Sequence, residues 1–327
     1  MKVVILGGTG NISTSIVRLL LKQGHEVTCY NRGNHAEALK ETRIIIGDRK
    51  DRETFEKTMR KEKFDVAIDM ISFTKEDAAS SIAAFPEIGQ FIQCSTVCTY
   101  GVDYDWLPVS EDHPLRPITD YGRGKADADH LLLEAYHREG FPVTIIKPST
   151  TYGPKGGLLR QVAWDFSWID RIRRGKPIIV CWDGKALHSF LHVDDAAKGF
   201  AGVIGKQRCI GQTYNLVNRG FTTWENYHRT AMKVLGREVE LVGISLQTLL
   251  SLDKERFSIC SEIFAHNDYY SSDKIFRDVP EFVPAVSLDD GMRQVIEYMD
   301  QQGHIPDSSL ETWEDAIIQA HREAFGS

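Results

Sequence analysis

Apolar residues in the first half of the chain fall into short unbroken runs, each followed by a longer stretch in which they recur at helical spacing. The first run is Val3-Val4-Ile5-Leu6. After a glycine-rich turn, Ile12, Ile16, Val17, Leu19, Leu20 and Leu21 follow a helical period that Gly24 ends. The alternation continues with runs at 27–30, 43–46, 66–70, 91–95 and 143–146. Strands apolar on both faces and joined by helices predict a parallel sheet with right-handed crossovers. After Pro148 proline, glycine and aromatic residues become frequent and the runs shorten. Segments 178–181, 213–217 and 240–242 read as separate small strands between helices.

Composition narrows this picture only modestly. With 327 residues, 42% hydrophobic and 26% charged, the chain can bury a core without disulfides or a structural metal. A net charge of -7 argues against nucleic acid or an anionic membrane as a main partner. Of the six cysteines only Cys94 and Cys98 stand close together, with no second pair or histidine cluster to complete a zinc site. They are expected to be reduced and structural, with no metal bound. No apolar run approaches the roughly 20 residues of a membrane span. The first one meets glycine too soon for a signal peptide. A cytoplasmic protein is expected.

The turn after the first run reads Gly7-Gly8-Thr9-Gly10-Asn11-Ile12-Ser13. Glycines between a strand and a helix let backbone N–H groups approach a pyrophosphate at the helix N-terminus. Ser13 takes the third glycine's place and is small enough for close helix–sheet packing. The expected fold is therefore α/β, with a Rossmann-type doubly wound sheet over 1–150 and a smaller C-terminal substrate-binding lobe over 151–327. Residues 188–203 are expected to return to the large sheet. The second strand ends Tyr30-Asn31-Arg32-Gly33, without the carboxylate that would bind ribose hydroxyls and repel a 2′-phosphate. Arg32 can pair with phosphate or stack on adenine, which favours NADP over NAD, or it can be a solvated surface residue.

Tyr121 and Lys125 lie four residues apart in a predicted helix, on one face of it. An ammonium beside a phenol favours the phenolate, as a general base near neutral pH requires. Upstream, the run at 91–95 leads into Ser95-Thr96-Val97-Cys98-Thr99-Tyr100-Gly101, which sets hydroxyls at a strand's C-terminal end, the edge where open α/β sheets bind ligands.

These motifs recur in order. After the glycine loop come Gly47-Asp48, Asp69-Met70-Ile71-Ser72, Ser95-Thr96, Tyr100-Gly101 and Tyr121…Lys125. Lys147-Pro148-Ser149-Thr150-Thr151-Tyr152-Gly153-Pro154 and Phe190-Leu191-His192-Val193-Asp194-Asp195 complete the series. The chain resembles the extended short-chain dehydrogenase/reductase superfamily, NAD-dependent epimerase/dehydratase family, over nearly its whole length. The resemblance implies that Thr96 hydrogen-bonds the reacting oxygen, that Tyr121 is the acid/base, and that Lys125 binds the nicotinamide ribose and tunes Tyr121. It implies phosphate contacts at Gly7, Gly10, Asn11 and Ile12, and contacts to the adenosine end at Asn31, Arg32, Asp48 and Arg49. Met70, Ile71 and Ser72 would line the dinucleotide, and Ser95, Pro148 and Ser149 would lie towards the nicotinamide. A homodimer through the helix that carries Tyr121 is also implied.

Three departures bear on the substrate. Val97 and Cys98 stand where family dehydratases carry an acidic pair, and neither can serve as general acid and base for eliminating water. His188 replaces the arginine that grips a substrate diphosphate, and Thr150 replaces a frequent asparagine. Trp164, Phe166, Trp168, Trp182, His188 and His192 crowd one stretch and suit either a carbohydrate ring or the core of the lobe. Thr96, Thr150, Trp182 and His188 are the expected substrate contacts. Asp194 and Asp195 are expected to cap the following helix. The expected activity is oxidation of a secondary alcohol on a sugar or sugar derivative, as an epimerase with a transient ketone. A simple NADP-dependent dehydrogenase or ketoreductase is the alternative. A non-catalytic dinucleotide- or RNA-binding relative is a third possibility, though such proteins tend to lose the tyrosine or lysine kept here.

Overall fold

The computed structural model describes residues 1–33 and 42–325. Its first half runs β1 (Lys2–Leu6), α1 (Asn11–Lys22), β2 (Glu26–Asn31), β3 (Arg43–Ile46), α2 (Arg52–Lys61), β4 (Val66–Asp69), α3 (Lys75–Ala84), β5 (Gln90–Cys94), α4 (Asp120–Glu139) and β6 (Val143–Pro148). Then come β7 (Thr150–Tyr152), α5 (Ser167–Arg173), β8 (Ile178–Cys181), β9 (Leu187–His188), β10 (Phe190–His192), α6 (Val193–Gly202) and β11 (Gln212–Leu216). The chain ends with β12 (Thr222–Thr223), α7 (Trp224–Leu235), β13 (Leu241–Ile244), α8 (Leu246–Leu252), α9 (Asp273–Asp278), α10 (Leu288–Gln302) and α11 (Trp313–Phe325).

Seven strands form one parallel sheet in the order β11-β6-β5-β4-β1-β2-β3. The order reverses direction beside β1, so the loop after β1 opens at the switch point where Rossmann-type sheets bind ligands. Val3, Val4, Ile5 and Leu6 are wholly buried, each worth about 1.5–3 kcal/mol in apolar transfer. One face of the sheet buries Tyr30, Phe55, Phe85, Phe91 and Phe141 in a single cluster, with Tyr30 and Phe55 at 5.2 Å between ring centroids. This sheet belongs to a unit made of Met1–Thr151, Val193–Arg219 and Tyr270–Ala285.

Three expectations need correction here. The segment read as a separate small strand at 213–217 is β11, a seventh strand of the large sheet beside β6, with Thr213 opposite Ile145. Polar residues interrupt its apolar run, but the fold satisfies them. Tyr100 Oη donates to Asn215 Oδ1 at 2.8 Å, and Asn215 Nδ2 donates to the Val109 carbonyl at 3.1 Å. Conversely, β10 does not enter that sheet; what returns from the 188–203 segment is α6, which packs on α1. Because α6 starts at Val193, Asp194 and Asp195 lie in its first turn and do not cap it. Ser15 Oγ donates to Asp194 Oδ1 at 2.7 Å, and Asp195 accepts from the Ala285 N–H at 3.0 Å. Both carboxylates still face the positive end of the helix.

A second unit comprises Tyr152–His192, Gly220–Tyr269 and Val286–Ser327. It holds the β8–β13 parallel pair, the β9–β12 antiparallel pair and a core of Trp168, Phe190, Trp224 and Tyr227. Phe190 stacks on Tyr227 at 4.3 Å. Arg160 and Glu314, both buried, form a bidentate pair that ties α11 to this core. No helix among the described residues is long and apolar enough to cross a membrane.

Candidate active site

The loop after β1 can take the close approach that a phosphate requires because of what surrounds Gly7. Its φ of +84° belongs to glycine, and a Cβ there would come 2.5 Å from Ile71 Cγ2. Gly10 precedes α1 and donates its N–H to Ser13 Oγ at 2.8 Å. A cavity of about 520 Å³ lies over this loop, walled by Gly7, Gly10, Asn31, Arg32, Asp48, Arg49 and Ile71, with Lys50 and Phe73 also in the lining. Its size is that of a small-molecule site.

Unpaired buried polar atoms test whether a dinucleotide fits. Asn11 Oδ1, Asn31 Nδ2, Ser72 Oγ and Ser149 Oγ are buried with no hydrogen-bond partner among the described residues. They follow or end β1, β2, β4 and β6, so all four sit at the C-terminal edge of the sheet. Leaving such a group unsatisfied costs about 1–3 kcal/mol, and a polar ligand along that edge removes the cost. The residues present fit a dinucleotide.

Arg49 departs from expectation. Its guanidinium turns inward, donating to Asp69 Oδ2 at 2.7 Å and to the Asp77 carbonyl and Ser81 Oγ at 2.6 and 2.7 Å. Only 5% exposed, it braces the cavity wall through these bonds, with its Nε 3.7 Å from Asp77 Oδ1. Asp48 is exposed and closes its own turn, its Oδ1 accepting from the Lys50 N–H at 2.9 Å. Arg32 is exposed, and no carboxylate ends β2.

Thr96, Tyr121 and Lys125 do come together. Thr96 Oγ1 caps a short turn by accepting from the Cys98 N–H at 3.2 Å, and its side chain lies beside the Tyr121 hydroxyl. Thr119 caps α4 by accepting from the Gly122 N–H at 3.0 Å, which puts Tyr121 in the first turn. A Cβ on Gly122 would meet the Cys98 carbonyl at 2.7 Å, and one on Gly124 would press closer still on the Phe73 carbonyl. These two glycines let α4 lie against both loops. Tyr121 is 47% exposed as a residue, yet its hydroxyl end is enclosed near Thr96, Cys94 and Cys98. Burial raises the affinity of the phenol for its proton, and the Cys94 and Cys98 sulfurs add to this, opposed by the Thr96 side chain.

Lys125 is buried, donating from Nζ to the Cys94 carbonyl at 2.5 Å, with the Phe73 ring 4.6 Å away and the Tyr121 ring at 6.0 Å. Burial pushes its amine below the usual lysine range, opposed by Cys94, Asp69 and Asp129. The expectation that Lys125 lowers the phenol's proton affinity is therefore corrected: in the protein alone, enclosure dominates Tyr121 in the opposite direction. Ser95 also departs from expectation, since its Oγ donates to Asp129 Oδ2 at 2.6 Å and points into the protein. Pro148 and Ser149 are buried at the end of β6, and Met70 is half-buried after β4. Ile12 opens α1.

Among the expected substrate contacts, His188 is corrected. It is 2% exposed, with Nδ1 3.2 Å from Asp268 Oδ2 and its ring 4.6 Å from Trp224 and 4.7 Å from Phe190. It belongs to the core of the second unit, as do Trp168 and His192. Trp164 and Trp182 are the exposed members of that aromatic stretch, at 68% and 53%, and Trp182 holds a φ of +55° that bulky residues rarely adopt. Thr150 is half-buried in β7. Phe73 escaped sequence reading because a single aromatic after Ser72 carries no pattern. Among the described residues no group of side chains could hold a metal ion.

A sequence model of the NAD dependent epimerase/dehydratase family matches residues 3–216. The chloroplast stem-loop binding protein of 41 kDa b of Arabidopsis thaliana is 27% identical over 72% of this chain, which spans 63% of that protein's length. The 2'-dehydrokanamycin reductase of Streptomyces kanamyceticus is 25% identical over 75% of this chain and 69% of its own. In fold, the chain is similar to UDP-glucuronic acid 4-epimerase from Bacillus cereus, solved with UDP-glucuronic acid and NAD. The TM-score is 0.73 at 19% identity, covering 92% of this chain and 100% of that one. With a family match over residues 3–216, the chain belongs to the NAD-dependent epimerase/dehydratase family.

Proposed function

We propose that the protein removes hydride from the carbon and a proton from the oxygen of a secondary alcohol on a sugar or sugar derivative, and returns the hydride to the opposite face of the ketone formed, making it an epimerase. The observation that carries this reading is the meeting of Thr96, Tyr121 and Lys125 at the edge of the sheet that also carries the four unpaired polar atoms. Gly7, Gly10, Asn11 and Ile12 would hold the pyrophosphate, Asn31 and Arg32 the adenosine end, and Met70, Ile71, Ser72, Pro148 and Ser149 the remainder. The dinucleotide supplies the hydride acceptor and donor.

The chain's own groups handle the proton. Thr96 Oγ1 and Tyr121 Oη hold the substrate oxygen between them. Tyr121 Oη, as the phenolate, takes the hydroxyl proton as the ketone forms and gives it back on reduction. Lys125 Nζ, fixed by the Cys94 carbonyl, orients the ribose and keeps positive charge near the phenol. Loss of such an acid/base costs about 10²–10⁴-fold in rate. Val97 and Cys98 offer no carboxylate for dehydration, and with His188 buried no cation takes the diphosphate-binding place. Thr150, in the same unit as Thr96 and Tyr121, is the remaining substrate contact in this reading.

A specific observation favours a second outcome, an NADP-dependent ketoreductase. Arg32 and Lys50 wall the cavity and no acid ends β2, an arrangement that admits a 2′-phosphate. Mass analysis of the copurifying cofactor separates the two. Retained NAD supports the epimerase; a protein that arrives empty and oxidises NADPH with a panel of ketosugars supports the reductase. Activity in Tyr121→Phe equal to wild type would sink both.

A further inference from the structure

Tyr121 and Lys125 begin a polar row along α4 whose next member, at the same four-residue spacing, is Asp129. Its side chain is 2% exposed. Asp129 Oδ2 accepts from Lys147 Nζ on β6 at 2.5 Å and from Ser95 Oγ at 2.6 Å. Lys147 is 3% exposed; its Nζ also donates to Thr99 Oγ1 at 2.8 Å and lies 5.5 Å from the centroid of the Tyr100 ring. Ser95 and Thr99 bracket Thr96. The cluster therefore joins the three segments that carry the site: the loop after β5, the first turns of α4, and the end of β6 where Pro148 and Ser149 stand.

Two buried ammonium groups, Lys125 and Lys147, share this region, and Asp129 is the carboxylate set between their elements. Breaking a buried pair by removing one partner is costly because it strands the other charge. We infer that Asp129 and Lys147 are positioning residues for the tyrosine–lysine pair: Asp129 supplies the counter-charge that lets Lys125 remain an ammonium inside the protein, and Lys147 locks Asp129 in place. The groups that face Lys125 from other elements are the Cys94 thiol and carbonyl on β5, Asp69 on β4 and Arg49 before α2. The Phe73 and Tyr121 rings also lie beside it. Asp69 pairs with Arg49 as Asp129 pairs with Lys147, but of the two acids only Asp129 lies on α4, one turn beyond Lys125. This inference rests on reading Lys125 as part of the site, but its test does not need turnover.

The test is the titration of Lys125 followed by NMR of 13Cε-labelled lysine in the full chain, the signal assigned by its loss in Lys125→Met. Asp129→Asn should move the Lys125 midpoint down by about one pH unit, the scale of one charge at this range. Asp129→Asn/Lys147→Met should bring it most of the way back, because the stranded cation is gone as well. Asp129→Glu should keep it near wild type. Should Asp129→Asn fail to fold, Lys147→Met carries the same test with opposite sign, and its midpoint should rise. A midpoint unmoved in these variants while the melting temperature falls overturns the inference and leaves the pair as structural glue. Binding of NAD+ or NADP+, read by dinucleotide titration of the wild type, is independent of this: the absence of both would sink the enzymatic reading, whereas binding with an unmoved midpoint overturns only the role of Asp129 and Lys147.

Discussion

Tyr121 has an exposed ring and an enclosed hydroxyl. That division suits a group that must meet a substrate with one atom and stay fixed by the rest. Tyr121→Phe removes the proton carrier and leaves the ring, so turnover should fall about 10²-fold or more with the melting temperature unchanged; steady-state rates and a thermal melt check both. Arg32 tests cofactor choice in the same way. Exposed at the cavity wall, its replacement in Arg32→Glu should weaken NADPH binding about tenfold or more, the scale of a charge-assisted hydrogen bond to phosphate, and spare NADH. Equal loss for both dinucleotides, measured by fluorescence titration, would return Arg32 to the solvated surface.

At the scale of elements, α4 is held by two contacts that only glycine permits. Glycine to alanine in a helix interior ordinarily stabilises by about 1 kcal/mol. At Gly122 the added Cβ would meet the Cys98 carbonyl at 2.7 Å, so Gly122→Ala should lower turnover and stability together by tilting Tyr121 away from Thr96. A more stable and fully active variant would contradict this placement of the helix. The helix α7 offers a pH test. His228, wholly buried with Nδ1 2.7 Å from the Trp224 carbonyl, has its proton affinity lowered by burial, to a pKa of about 3. Unfolded, it takes up a proton near 6.5. Below that pH the unfolded chain binds a proton that the folded chain refuses, so stability falls as pH drops from about 6.5 towards about 3. Melting temperatures of His228→Gln should fall less steeply than wild type over that window.

How far these elements were legible follows from where their information lies. The strands β1, β2, β4, β5 and β6 and the turn before α1 could be read because unbroken apolar runs and a glycine turn are local signals. Strand β11 was misassigned because Gln212, Thr213 and Asn215 break its run, and the side-chain partners of Asn215, Tyr100 and Val109, lie far away in sequence. Spacing put Tyr121 and Lys125 together, and a motif placed Thr96 beside them. Spacing could not tell that Ser95 turns to Asp129, that Arg49 is taken up by Asp69, or that His188 faces Asp268 and Trp224. Each of those outcomes is decided by a partner distant in the chain, and burial is a property of the packed molecule.

For the whole molecule, membership of the family fixes the sheet and the pair but not the reaction, since a stem-loop binding protein and a reductase are both among the relatives. The net charge of -7 predicts that RNA retention on a filter is weak and vanishes with modest salt; retention that persists would favour a binding role. The account as a whole stands on the geometry of one pair against one ligand. A crystal structure of the protein with the dinucleotide it binds, NAD+ or NADP+, measures it most directly. The account predicts Lys125 Nζ within about 3 Å of a nicotinamide-ribose hydroxyl and the Tyr121 hydroxyl facing the nicotinamide with Thr96 beside it. A dinucleotide bound along the glycine loop with Tyr121 turned away from the nicotinamide would contradict it.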